Sequence, residues 1–190
     1  MGKKQEIIEA AEAVFLKFGI RKITLDDIAR ACGMKKTALY YYFKNKDAII
    51  VAMLENNFAE LFNKVKAEVD KEEGVQNRLK AFMRSRINEM RANLPLIKLF
   101  QDEDNLSMKT VRLLEENRTI IVNKDFCLIQ EILSKGIENK KISYELNDSL
   151  VLMIMGATYG AFVGKFIENS NWEIDKMIDT TIDVIFNGIK

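Results

Sequence analysis

The chain has 190 residues, 48% hydrophobic and 30% charged, with one proline, nine glycines and no histidine. Without histidine, Ser-His-Asp and Cys-His nucleophile systems and histidine-ligated metal sites are excluded. The net charge of +1 hides an asymmetry: residues 1–50 hold ten Lys/Arg against six Asp/Glu, a basic head on a mildly acidic body.

The scarcity of proline and glycine argues for an all-α protein, because many short strands would need turns rich in both. Cys32 and Cys127 form neither a disulfide framework nor a zinc pattern, so a reducing compartment is expected. No apolar run follows the charged start Lys3, Lys4, Glu6, and the longest uncharged stretch, Ser149 to Gly164, is too short for a membrane span. A cytoplasmic protein with no membrane partner, no cofactor and no metal is the expectation. Carboxylate catalysis would need a paired acid and base that the pattern does not supply, so no enzyme is expected.

In chain order, Ile7, Ile8, Ala11, Val14, Phe15 and Phe18 mark one face of a first helix that Gly19 ends. Thr24 starts a second, with Asp26 and Asp27 in its first turn, and Gly33 stops it. A third short helix carries Leu39 and Phe43 on one side. Asn45 caps a long fourth helix striped by Ile49, Met53, Phe58, Leu61, Phe62, Val65 and Val69. Val75, Leu79, Phe82, Met83 and Met90 mark a fifth, which must end before Pro95. Leu96 to Phe100 reads as a short apolar piece and Gln101–Ser107 as a loop. Val111 to Leu133 outlines a long helix ending near Gly136, and Ile137–Leu146 reads as a connection. Asn147 caps a helix through about Ile167, and Asn171 caps the last one, with Ile174, Met177, Ile178, Thr181 and Ile185 on its face. The expected architecture is about nine helices: an amino-terminal helix-turn-helix domain (1–47) and a larger helical domain (48–190).

The second and third helices, joined by Cys32-Gly33-Met34-Lys35, have the spacing of a helix-turn-helix. With Leu39 and Phe43 turned inward, Lys36 with Tyr40 and Thr37 with Tyr41 form i,i+4 pairs on the outer face. Lys36 and Thr37 are placed to reach base edges. Tyrosine hydroxyls and Lys44 or Lys46 are placed for phosphates, as is Thr24 at the start of the second helix. Lys35 adds charge beside them.

The run Ile7…Ala10-Ala11…Phe15…Gly19…Thr24…Ile28-Ala29…Cys32-Gly33…Leu39-Tyr40-Tyr41-Tyr42-Phe43-Lys44-Asn45-Lys46 resembles the amino-terminal domain of the TetR family of bacterial regulators. The resemblance covers the first fifty to sixty residues; the remainder matches in helix number and spacing. It implies that Lys36 and Thr37 contact bases and that Tyr41, Tyr42 and Lys46 grip phosphates. The sequence departs from the family pattern at Cys32, Lys35 and Ala38, two of them at the base-reading helix.

In the body, Gly156, Gly160 and Gly164 recur every four residues beside Ala157 and Ala161, a stripe that suits close helix packing. It packs either within the subunit or across a homodimer interface. The resemblance favours the interface, with Ile178 and Ile185 contributing from the last helix. Phe62, Met83, Met90, Phe100, Phe126 and Tyr159 are candidate walls of an effector pocket, each more often plain core, with Arg84, Arg86 or Arg118 available to an acidic group. The expected function is a sequence-specific transcriptional regulator, a repressor that an apolar or amphipathic small molecule releases from a palindromic double-stranded operator. The alternatives are a helical-bundle carrier or enzyme for a hydrophobic metabolite, and a protein-interaction module.

Overall fold

A computed structural model describes residues 2–101, 108–138, 148–160 and 173–188, all helices and connections with no strand among them. Nine helices follow in these residues: α1 (Lys3–Phe18), α2 (Leu25–Ala31), α3 (Lys36–Tyr42), α4 (Lys46–Asp70), α5 (Val75–Ala92), α6 (Leu94–Gln101), α7 (Met108–Glu138), α8 (Asp148–Gly160) and α9 (Ile174–Gly188). They divide into two compact units, Met1–Ala59 with Asn93–Thr119, and Glu60–Ala92 with Ile120–Lys190.

The first unit closes around Ile7, Ala11 and Phe15 of α1, Ile28 and Ala29 of α2, and Leu39 and Phe43 at α3. Ile49, Ile50, Met53 and Leu54 of α4, with Leu96 of α6, complete this core. The division expected at residue 47 falls in the first turn of α4, whose next two turns fill the small core. Phe18, expected inside, is 50% exposed, with the Lys17 ammonium 5.0 Å from its ring centre. Gly19, at φ +82°, turns the chain immediately after it.

The piece from Leu96 to Phe100 is helical, as α6. Pro95 sits in its first turn, where a missing N–H forfeits no intrahelical bond. α7 starts earlier than the stripe implied and runs past a buried Gly136 to Glu138. The expected caps Asn147 and Asn171, and the helix expected from Ala161 to about Ile167, lie outside the described residues.

In the second unit α5 packs on both α8 and α9. The core joins Val65 and Val69 of α4, Leu79, Phe82, Met83 and Ile87 of α5, and Leu128, Ile129, Ile132 and Leu133 of α7. Val151 and Ile154 of α8, and Ile178, Ile182, Ile185 and Phe186 of α9, complete it. The exposed pair Arg84–Asp175 and the half-exposed pair Lys80–Asp179, both 2.6 Å, link α5 to α9. Such surface pairs contribute about 0–1 kcal/mol each.

Inside this core Arg86 of α5 meets Asp125 of α7, which also accepts the Tyr159 hydroxyl of α8. Burial pushes the Asp125 carboxyl up, against the opposing pull of Arg86 and Tyr159, and burial with Asp125 beside it pushes the Tyr159 phenol up as well. Removing one partner of such a pair strands the other. Asp125→Ala is therefore expected to cost about 3–5 kcal/mol in chemical denaturation, whereas the apolar double variant Arg86→Met/Asp125→Leu stays folded at near wild-type stability.

Candidate nucleic-acid interface

α2 is seven residues long and begins at a reciprocal cap. Thr24 Oγ1 accepts from the Asp27 amide at 3.3 Å, and the Asp27 carboxylate accepts the Thr24 amide at 2.9 Å. It also takes the Thr24 hydroxyl at 2.6 Å, and these bonds hold the Asp27 carboxyl below the usual aspartate range. A phosphate role for Thr24 thus has to compete with a carboxylate already holding both its donors.

α2 ends in a Schellman turn. The Met34 amide donates to Ala29 O at 2.9 Å and the Gly33 amide to Arg30 O at 3.0 Å, with Gly33 at φ +65°. That left-handed residue is why glycine stands here, since a Cβ would be strained. Met34 and Ala29 belong to the same apolar cluster, the hydrophobic contact that accompanies this motif.

α3 then lies with Leu39 buried and Phe43 sealing its end. Lys35 at its N-cap makes no side-chain capping bond. Lys35, Lys36, Thr37, Tyr40, Tyr41 and Lys44 are all exposed, Tyr41 at 86%. Tyr42 is half-buried and meets Tyr41 edge-on at 5.2 Å. The structure therefore leaves Lys35, Lys36, Thr37, Tyr40, Tyr41 and Lys44 of the expected base and phosphate set exposed. Lys36 is tied to Asp26 of α2 at 2.7 Å, an exposed pair that raises the lysine's affinity for its proton.

Lys46 is partly buried. Its ammonium donates to Ile20 O at 2.9 Å and Ile23 O at 3.1 Å, clamping the α1–α2 loop to the start of α4. Two of its three donors are thereby occupied, which leaves one for the phosphate contact expected of it. Asn45 caps α4 as expected, its Oδ1 accepting from the Ala48 amide at 2.8 Å. Sequence reading missed Lys4, whose ammonium lies 5.5 Å from the Phe43 ring centre beside the end of α3. No periodicity signals that contact.

Residues 7–53, the segment that builds this turn and its core, match the model of the bacterial regulatory proteins of the tetR family. This amino-terminal segment is that of the TetR family. The chain is 42% identical over 53 residues to the HTH-type transcriptional regulator TtgR of Pseudomonas putida, spanning 28% of its own length and 25% of TtgR. It is 20% identical over 199 residues to the HTH-type transcriptional repressor KstR2 of Rhodococcus jostii, spanning 99% of this chain and 91% of that protein. The fold is that of the transcriptional regulator FadR from Bacillus subtilis, solved in complex with stearoyl-CoA. The TM-score is 0.69 at 18% identity, over 98% of this chain and 99% of that one.

In the body of the chain the expected effector residues differ in burial. Met83 is fully buried, while Phe62, Phe126 and Tyr159 are partly buried against the same core. Met90 is half-buried. Phe100 belongs to the first compact unit, and its side chain lies outside the described residues. Arg86, suggested for an acidic group, already has one in Asp125. Ile178 and Ile185, expected at a dimer interface, face inward at 0% and 7% exposure, because the stripe on α9 is the one that seals the protomer's own core. Gly156 and Gly160 are exposed, and Gly164 lies outside the described residues.

Two outcomes follow. Gly33→Ala should lower stability by about 1–3 kcal/mol, read by denaturation, because alanine must hold a positive φ. Asp27, with its carboxyl lowered by folding, stabilises the domain above the unfolded aspartate pKa and loses that contribution as pH falls through the folded value. Below about pH 4 the wild type should therefore lose thermal stability faster than Asp27→Asn.

Proposed function

We propose that this TetR-family protein is a dimeric, sequence-specific DNA-binding regulator, a repressor that leaves its operator when an apolar or amphipathic effector binds the carboxy-terminal unit. The outward face of α3 carries the reading: Lys36, Thr37, Tyr40 and Tyr41 stand exposed over a base that Leu39 and Phe43 lock into the core. Lys36 and Thr37 would address base edges, and Tyr41, Tyr42, Lys35 and Lys44 the phosphates. A carrier or enzyme for a hydrophobic metabolite gives this face no task. Among the described residues no helix is long and apolar enough to cross a membrane.

A seven-residue reading helix makes few contacts, so two copies on one duplex face are needed for specificity. The proposed dimer surface is the outer side of α8 and α9. Leu152, Met153 and Val184 are 57%, 63% and 67% exposed there. A Cβ added at Gly156 or Gly160 would meet nothing within 4 Å, so packing among the described residues gives no reason for glycine. Close approach by a second copy does. For the effector, the partly buried aromatics Phe62, Phe126 and Tyr159 favour an apolar body. A long-chain acyl compound, the kind the Bacillus subtilis neighbour holds, is a fitting class.

Salt dependence of DNA affinity tests the reading. With roughly six to ten phosphate contacts per dimer, affinity should fall about 10³–10⁵-fold between about 50 and 200 mM salt, and a flat response would contradict it. Lys44→Ala should weaken all duplexes alike, whereas Thr37→Ala should reorder a panel of them.

A further inference from the structure

The core of the second unit is built from aliphatic and aromatic side chains, with one exception that joins three helices. Arg86 of α5 and Asp125 of α7 are 2% and 0% exposed, and Tyr159 of α8 is partly buried beside them. Arg86 Nη2 donates to Asp125 Oδ1, and the Tyr159 hydroxyl donates to Asp125 Oδ2 at 2.5 Å. Both carboxylate oxygens are thus satisfied. Arg86 Nε, equally buried, has no hydrogen-bond partner. Thr158, the other buried polar side chain described in this unit, gives its hydroxyl to Ile154 O of its own helix at 2.7 Å and needs nothing more.

Stability does not account for this arrangement. Desolvating two ions offsets most or all of their attraction, and apolar side chains of similar volume serve a core at least as well. A buried N–H without an acceptor adds a further penalty. An acceptor brought by a ligand removes that penalty, and it does so at a place where the outermost member of the network, Tyr159, is only partly buried.

We propose that the Arg86–Asp125–Tyr159 network is the polar end of the effector site, and that the effector presents an uncharged carbonyl acceptor to Arg86 Nε on an otherwise apolar body. This rests on the effector-controlled reading above. The charge balance selects the class. Arg86 and Asp125 cancel, so a ligand carboxylate would leave a net negative charge in surroundings of low dielectric constant. A hydrocarbon leaves Nε unpaired. A ketone, ester, thioester or amide carbonyl satisfies the donor without adding charge, while the partly buried rings of Phe126 and Tyr159 offer apolar surface to the rest of the molecule.

Calorimetric titration of the full chain with 2-nonanone, methyl octanoate, octanoate and nonane tests this. The ketone and ester should bind the wild type about 10–100-fold tighter than nonane, the value of one hydrogen bond to a buried charged donor, and octanoate should bind more weakly than its ester. In Arg86→Met/Asp125→Leu, checked for a cooperative thermal transition, the carbonyl preference should shrink to within about threefold while nonane binding persists. A network that merely held the helices together would leave that preference unchanged. The proposal is overturned if ketone and nonane bind the wild type equally, if octanoate binds tightest, if the preference survives in the double variant, or if none of the four binds. The salt dependence of DNA affinity, measured without any of these compounds, judges the regulator reading separately.

Discussion

α3 has seven residues, fewer than an isolated helix needs to persist in water. Its conformation and its aim are therefore borrowed from what it packs against. Leu39 and Phe43 are buried in a core supplied by α1, α2 and the start of α4, and the Schellman turn at Gly33 sets the direction in which α3 leaves α2. Lys46 holds the loop before α2 by two carbonyls, and the Thr24–Asp27 cap holds the start of α2 itself. The exposed Lys36, Thr37, Tyr40 and Tyr41 owe their placement to these buried restraints. Polar side chains on the outside can then be exchanged for new sequence preferences at little cost in stability, because none of them carries the packing.

The second unit solves a different problem. Its α5 stripe and α9 stripe are consumed in sealing one protomer, and the exposed Leu152 and Met153 of α8 and Val184 of α9 are what the proposed dimer would use. Its one buried ionic network among the described residues lies within the protomer, joining α5, α7 and α8. The two features suit the two proposed tasks, association through exposed apolar side chains and ligand discrimination by a buried donor lacking an acceptor.

Much of this was legible in the sequence where a local rule governs it. The Gly33 turn, the inward Leu39 and Phe43, the Asn45 cap and the helical body follow from spacing and capping chemistry. Three kinds of feature were not legible. Phe18 has the right spacing for the core yet lies outside, because Gly19 redirects the chain at once. Lys46 looks like a free cation until the loop carbonyls it holds are known, and those lie 26 and 23 residues away. Ile178 and Ile185 were on a recognisable apolar stripe, but the stripe does not say whether it faces its own protomer or another. Arg86 and Asp125 had a readable signal. Each occupies an apolar-face position, Arg86 in register with Leu79, Phe82 and Met83 and Asp125 with Leu128, Ile129 and Ile132, where a charge demands a partner.

The central claim is that two copies of this short helix read one duplex by sequence. Selection from a random duplex pool by the full chain, at near-physiological salt, tests it most directly. The account predicts enrichment of an inverted repeat whose half-site centres lie one helical turn, about 10 base pairs, or a multiple of it apart. Recovery of unenriched sequence, or of a lone half-site without a symmetric mate, would contradict it.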